Sequence, residues 1–168
     1  KEKAAYLSRV IPNKGSWLEF ELDAKKELLW VKIDRKKRIL ATLFLRALGL
    51  ENSDEIIEYF YETKTLTLKD TAAIRDELNN MILAKSVWVE VEGSDRKLFK
   101  AGTKLHVSEI DELLHNKVKE IEVIDETRAR NKEEGFNYLS SQVILNCLEK
   151  ENARLAKDAL VTDEPSHE

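Results

Sequence analysis

Between residues 17 and 48 the spacing of apolar side chains changes from every second residue to every third or fourth. Leu18, Phe20 and Leu22 alternate with Trp17, Glu19, Glu21 and Asp23; Leu29, Val31 and Ile33 alternate with Trp30, Lys32 and Asp34. Period two is the pattern of a half-buried strand, and the two runs are predicted to pair antiparallel around Ala24-Lys25-Lys26. Ile39, Leu40, Leu43, Phe44, Ala47 and Leu48 then recur at helical spacing, with Gly49 where the glycine past a helix end belongs. The switch points to an α+β fold: a short antiparallel sheet plus helices, then a small mixed α/β segment with a C-terminal helix.

The same cues extend along the chain. Tyr6 to Ile11 is a third strand candidate, ended by Pro12 and the turn residues Asn13 and Gly15. Asn52 opens a short helix with Glu55 as capping-box partner and Ile56, Ile57 and Phe60 as its apolar stripe. A third helix is expected over 72–83, using Ile74, Leu78, Met81 and Ile82. Val87, Val89 and Val91 alternate with Trp88, Glu90 and Glu92, Gly93-Ser94-Asp95 has turn chemistry, and Leu98-Phe99 begins a return strand. Gly102 marks another turn. Ser108 with Asp111 signals a helix start before Ile110, Leu113 and Leu114. Ile121, Val123 and Ile124 suggest a final strand. Residues 125–137 are densely charged and form the best linker candidate, and Leu139 to Leu160 reads as a long helix with Val143, Ile144, Cys147, Leu148, Leu155 and Ala159 roughly on one side.

Composition bounds the function classes. With 42% hydrophobic residues among 168, the chain is no disordered segment, and no stretch approaches the ~20 apolar residues that cross a bilayer. One cysteine, Cys147, allows no internal disulfide and no thiolate zinc cage, and favours a reducing compartment. The start at Lys1 and a single Met, at position 81, raise the expectation of a piece of a longer chain. The net charge of −4 hides a split: residues 1–50 carry 12 basic and 6 acidic side chains, +6, and residues 51–168 carry 16 and 26, −10. Such asymmetry points to a nucleic-acid face beside an acidic surface.

Catalytic signatures are missing. There is no glycine-rich phosphate loop, no His-Glu-x-x-His and no nucleophile elbow. His106 and His115, with Glu109, Asp111 and Glu112 nearby, lack ligand spacing for a metal and read as surface histidines; Cys147, among apolar helix positions, reads as a structural thiol. Two features stand out. Arg35-Lys36-Lys37-Arg38 suits phosphates, or is a solvated helix start. Trp17, Trp30 and Trp88 all fall away from the apolar faces of their strands; beside cations, such aromatics stack unpaired bases, unless the second sheet face is covered and they are core.

The block Ser8-Arg9-Val10-Ile11-Pro12-Asn13-Lys14-Gly15-Ser16-Trp17-Leu18-Glu19-Phe20-Glu21 resembles the lobe domain of bacterial multisubunit RNA polymerase beta subunits. Val31-Lys32-Ile33-Asp34-Arg35-Lys36-Lys37-Arg38 and Ala41-Thr42-Leu43-Phe44-Leu45-Arg46-Ala47-Leu48-Gly49 continue the resemblance in the same order. Lys100-Ala101-Gly102-Thr103-Lys104, Lys119-Glu120-Ile121-Glu122-Val123 and Ile144 to Asn152 extend it more loosely. Three departures occur. Lys14 stands for a usual arginine and keeps the charge without the bidentate fork. Leu40 stands for a usual proline, so the helix is expected to start a turn earlier. The Asp23–Val31 hairpin is one residue longer.

The resemblance implies three parts: 1–62, lobe strands and helices; 63–124, a lineage-variable insertion; and 125–168, a charged linker and a helix leading back to the lobe. It implies a wall of the downstream DNA cleft, with Trp17 as stacking platform for a non-template base and Lys14, Asp34, Arg35 and Lys36 near that strand. It further implies transcription as the activity, a nucleotidyltransferase whose magnesium lies elsewhere in the polymerase, with no catalytic, metal or cofactor site in this piece. The implied partners are the largest, alpha and sigma subunits and DNA, with transcription factors on the insertion, in the cytoplasm at the nucleoid and away from membranes. Two other readings stand beside it: a protein-docking module with no direct DNA role, suggested by the −10 segment, and a small free-standing enzyme, for which only unassigned carboxylates speak.

Overall fold

The computed structural model describes residues 5–91, 95–125 and 138–162. It is α+β, as the change of period requires. The elements run β1 (Ala5–Val10), β2 (Leu18–Asp23), β3 (Leu28–Ile33), β4 (Ile39–Leu40), α1 (Ala41–Ala47), α2 (Ser53–Phe60), β5 (Thr63–Thr67) and α3 (Ala72–Leu78). Then come β6 (Val87–Val91), β7 (Asp95–Phe99), α4 (Val107–His115), β8 (Glu120–Ile124) and α5 (Tyr138–Thr162). They form two compact units, Lys1–Gly49 with Asn137–Glu168, and Leu50–Phe136.

The first unit is built on an antiparallel sheet of order β1-β2-β3-β4. Its register follows the alternation: Leu18 faces Ile33, Phe20 faces Val31 and Leu22 faces Leu29, which gathers the apolar residues on one side. The Phe44 ring of α1 meets Phe20 edge-on, 6.2 Å between centroids. The β2–β3 turn is held by Asp23, whose Oδ1 accepts from the backbone N–H groups of Lys25 (3.1 Å) and Lys26 (3.2 Å).

The other side of the sheet is not left to solvent. Leu28, Trp30 and Leu40 form a buried cluster with Val143 and Cys147 of α5. Trp30 is therefore core at 5% exposure: its strand position turns it away from the Phe20 side, and that second face is covered, which is one of the two readings of its sequence position. A helix from more than a hundred residues downstream covers that face. Trp88 of the second unit, by contrast, is 62% exposed.

The helix at Ala41 does not begin a turn early. Ile39 and Leu40 pair with Val31 and Trp30 as β4, and Leu40 stays extended at ψ 143°. Ladder hydrogen bonds and complete burial of Leu40 outweigh the loss of proline as a helix stop. In the first turn of α1, Thr42 is fully buried and its hydroxyl has no hydrogen-bond partner among the described residues. A buried unpaired hydroxyl costs about 1–3 kcal/mol, so Thr42→Val is expected to raise stability by about 1 kcal/mol in urea unfolding, with an unchanged m-value.

In the second unit Asn52 caps α2, its Oδ1 accepting from Glu55 N (2.9 Å) while the Glu55 carboxylate accepts from Asn52 N (3.4 Å), as the capping pattern predicts. Helix α3 ends at Leu78, short of the expected residue 83. Asn80 turns left-handed at φ +70°, and Ile82 and Leu83 are drawn into bridges with Lys104 and Val123. His106 is the N-cap of helix α4, its backbone N–H donating to the Glu109 carboxylate at 3.0 Å, so Ser108 lies inside the first turn rather than capping it. Hairpin β6–β7 and pair β5–β8 surround a core that includes Leu78, Leu83, Leu105, Ile110, Leu113 and Val123. Residues 126–137 of the 125–137 linker candidate, and Gly93 and Ser94 of the Gly93-Ser94-Asp95 turn, lie outside the described residues.

Candidate nucleic-acid interface

The β2–β3 ladder continues one step past its strands. Asp34 N–H donates to Trp17 O at 2.9 Å. The chain then reverses: Asp34 and Arg35 both take left-handed backbone angles, φ +50° and +59°, and Lys36 N–H closes the turn on Ile33 O at 3.0 Å. Two successive positive φ values are the mark of a type I′ turn. Aspartate tolerates that region, whereas for arginine it is uncommon. The turn thus holds the Arg35 side chain at a fixed exit from the sheet.

The Asp34 carboxylate ties this turn to the loop before β2. It accepts from the Ser16 hydroxyl (2.7 Å) and from Trp17 N–H (2.9 Å). The Ser16 hydroxyl first, and then the Trp17 N–H, hold its pKa below the ordinary carboxylate value. A folded pKa below the unfolded value of about 3.9 stabilises above that value and is lost as pH falls through the folded one. Trp17 fluorescence is accordingly expected to stay constant from pH 8 to pH 5 and to change only in stronger acid; a transition near neutrality would contradict this anchoring.

So positioned, Trp17 is half-buried, and the Arg35 guanidinium lies 5.2 Å from its ring centroid, a cation–π geometry. Lys14 is exposed in the loop before Trp17, and the left-handed Gly15 (φ +115°) redirects the backbone between them. Lys36 is exposed, and its charge acts on Asp34. Of the five residues singled out from sequence, the structure joins Trp17, Asp34 and Arg35 directly, keeps Lys36 in the same turn and leaves Lys14 on the approach. Ser16 had no role in the sequence reading; its only signal is its place between Gly15 and Trp17. The arrangement offers a part-exposed aromatic ring, a guanidinium over it and further cations, which suits an aromatic anion such as a nucleotide.

The other candidates fall to structural roles. His106 and His115 sit at opposite ends of α4, and no group of three or more His, Cys, Asp or Glu side chains stands ready for a metal among the described residues. Asp111 pairs with Arg75, and Glu112 with Lys97. Cys147 is buried, which raises its thiol pKa and favours the neutral form. A concavity of about 810 Å³ lies in the second unit, lined by Asp70, Arg75, Glu90, Asp111 and His115 among others. It is far in sequence from the Trp17 turn, and Arg75 already pairs with both Asp70 and Asp111 there. No described helix is long and apolar enough to cross a membrane.

Residues 1–150 match the family model described as RNA polymerase Rpb2, domain 2. The DNA-directed RNA polymerase subunit beta of Treponema denticola is 46% identical over 168 residues, 99% of this chain and 14% of that protein. Those of Borrelia duttonii and Borreliella burgdorferi are each 46% identical over 156 residues, 93% of this chain and 13% of theirs. The chain belongs to the RNA polymerase Rpb2 domain 2 family, as a stretch of a DNA-directed RNA polymerase beta subunit. It spans about one seventh of the length of the relatives it matches.

Proposed function

We propose that this chain forms a DNA-facing wall of bacterial RNA polymerase and that Trp17 is a platform for one unpaired base of the non-template strand. Arg35, Lys36 and Lys14 neutralise the phosphates next to that base, and Asp34 sets the turn that presents Arg35. The observation that carries this is the part-exposed Trp17 ring with the Arg35 guanidinium over it, fixed by two hydrogen bonds to Asp34. Stacking is sequence-tolerant because every base has a π-face, and the cations add salt-dependent affinity without sequence information.

The reading assigns nucleotide addition and its magnesium to other parts of the polymerase, and assigns the chain a place among the largest, alpha and sigma subunits, in the cytoplasm. Residues 63–124 are then a surface insertion open to transcription factors. The test is the lifetime of the assembled polymerase on a bubble template. Trp17→Ala is expected to shorten it on the bubble and to leave binding to fully paired DNA as in the parent. An unchanged lifetime on the bubble removes the stacking platform.

A further inference from the structure

A second tryptophan on the same side of the sheet gathers cations that the Trp17 site does not use. Arg38 Cζ lies 4.4 Å from the Trp30 ring centroid, Lys150 Nζ 5.7 Å and Arg154 Cζ 5.8 Å. One comes from the segment before β4 and two from α5, so segments more than a hundred residues apart converge on one ring. The ring quadrupole attracts each cation, but the cations repel one another.

Carboxylates do not balance them. Glu21 alone serves both Lys32 (3.3 Å) and Arg38 (3.2 Å). Lys150 and Arg154 make no ion pair among the described residues, in contrast to Arg46 on neighbouring α1, which is paired with Glu151. The Trp30 Nε1–H, on a ring only 5% exposed, has no acceptor among the described residues. Positive charge is thus left in excess where two elements meet.

Strand alternation connects this cluster to the first site. Trp30 and Lys32 share a face of β3, and Asp34 is the next position in that series. Trp17 lies across the ladder from Asp34. Four residues of strand from Trp30 to Asp34 span about 13 Å, the length of about four nucleotides at the ~3.4 Å rise of a stacked strand, or fewer when extended.

We infer that Lys32, Arg38, Lys150 and Arg154 form a track for the phosphates of one DNA strand, continuing from the base held on Trp17. The inference rests on the DNA-facing reading above. A phosphodiester supplies the missing anion: guanidinium groups bind it bidentately and the lysines act as point charges. A single strand is the occupant because the track begins within a few nucleotides of a site for an unpaired base.

The test is the salt dependence of the assembled polymerase's equilibrium affinity for a bubble template. Each phosphate contact on a single strand contributes about 0.7 to the slope of log affinity against log salt. Lys150→Gln with Arg154→Gln is expected to make that slope shallower by about 1.4, while Lys150→Arg with Arg154→Lys restores it. Thermal melting of the double Gln variant is expected to match the parent, since Arg154 is exposed and Lys150 partly so. Neutral methylphosphonates on the non-template strand next to the stacked base are expected to abolish the difference between parent and variant. A slope equal to the parent's overturns the track, and so does a difference that survives those methylphosphonates. Trp17→Ala separates the two ideas. A shorter lifetime with Trp17→Ala, beside an unchanged slope in the Gln variant, leaves the stacking platform and removes the track. The reverse pattern keeps the track and removes the platform.

Discussion

Arg46→Ala is expected to lower the stability of the first unit by about 2–3 kcal/mol. Arg46 lies in α1 and its Nε is 2.7 Å from the Glu151 carboxylate of α5, 105 residues away in sequence. The Glu151 side chain is 10% exposed and that of Arg46 is 24% exposed. Removing one partner of a buried pair costs about 3–5 kcal/mol because a charge stays behind without its counter-ion. Partial access of water to Arg46 brings the figure to the lower end. The two single variants are expected to differ. Arg46→Ala strands a nearly buried carboxylate, whereas Glu151→Ala leaves a longer cation that turns toward water, at about half the cost. Arg46→Met with Glu151→Leu is expected to recover most of the loss, since an apolar pair needs no desolvation. Urea unfolding of the parent, the two single Ala variants and Arg46→Ala with Glu151→Ala closes a double-mutant cycle. Costs that add without coupling in that cycle would show that the Arg46–Glu151 pair does not hold α1 to α5.

That pair also shows what the sequence could not reveal. The β2–β3 register was legible because Leu18, Phe20 and Leu22 can reach a common core face only when set against Ile33, Val31 and Leu29. The joining of Trp17 to Asp34 and Arg35 follows from the same pairing, one step beyond the strands. Covering of the opposite face was not legible. Nothing near Trp30 announces that Val143 and Cys147 will pack on it, because the information lies in a helix whose partner is chosen by tertiary fit. Short elements were lost for a different reason. Ile39 and Leu40 satisfy both a helical stripe and a two-residue strand, and only pairing with Val31 and Trp30 decides. Met81 and Ile82 continue the helical spacing of α3, yet the left-handed Asn80 and the bridge to Lys104 end it. The Ser16–Asp34 bond crosses 18 residues and has no pattern at all in the chain.

Trp17→Ala is expected to shorten the lifetime of the polymerase on a bubble template by about fivefold to about 150-fold, the range that follows from 1–3 kcal/mol per stacked base. Its magnitude depends on what the ring already carries. Arg35 occupies one approach to it at 5.2 Å, so a base uses the remaining exposed ring surface and adds to the cation–π contact. Trp17→Phe is therefore expected to keep part of the lifetime, having a smaller π-face at the same place. Trp17→Leu keeps apolar bulk without a π-system and is expected to fall close to Ala. Arg35→Ala should act differently, weakening binding chiefly at low salt, because its charge is screened while stacking is not. Asp34→Asn keeps the shape of the turn but replaces an ionised acceptor of two hydrogen bonds by a neutral one; it is expected to loosen both Trp17 and Arg35 and to give a loss between those of their single variants. An abasic site in the non-template strand at the stacked position supplies the control. There, parent and Trp17→Ala polymerases are expected to have equal lifetimes, because the partner ring is gone. A difference that persists on the abasic template would assign Trp17 to the architecture of the turn and not to the strand.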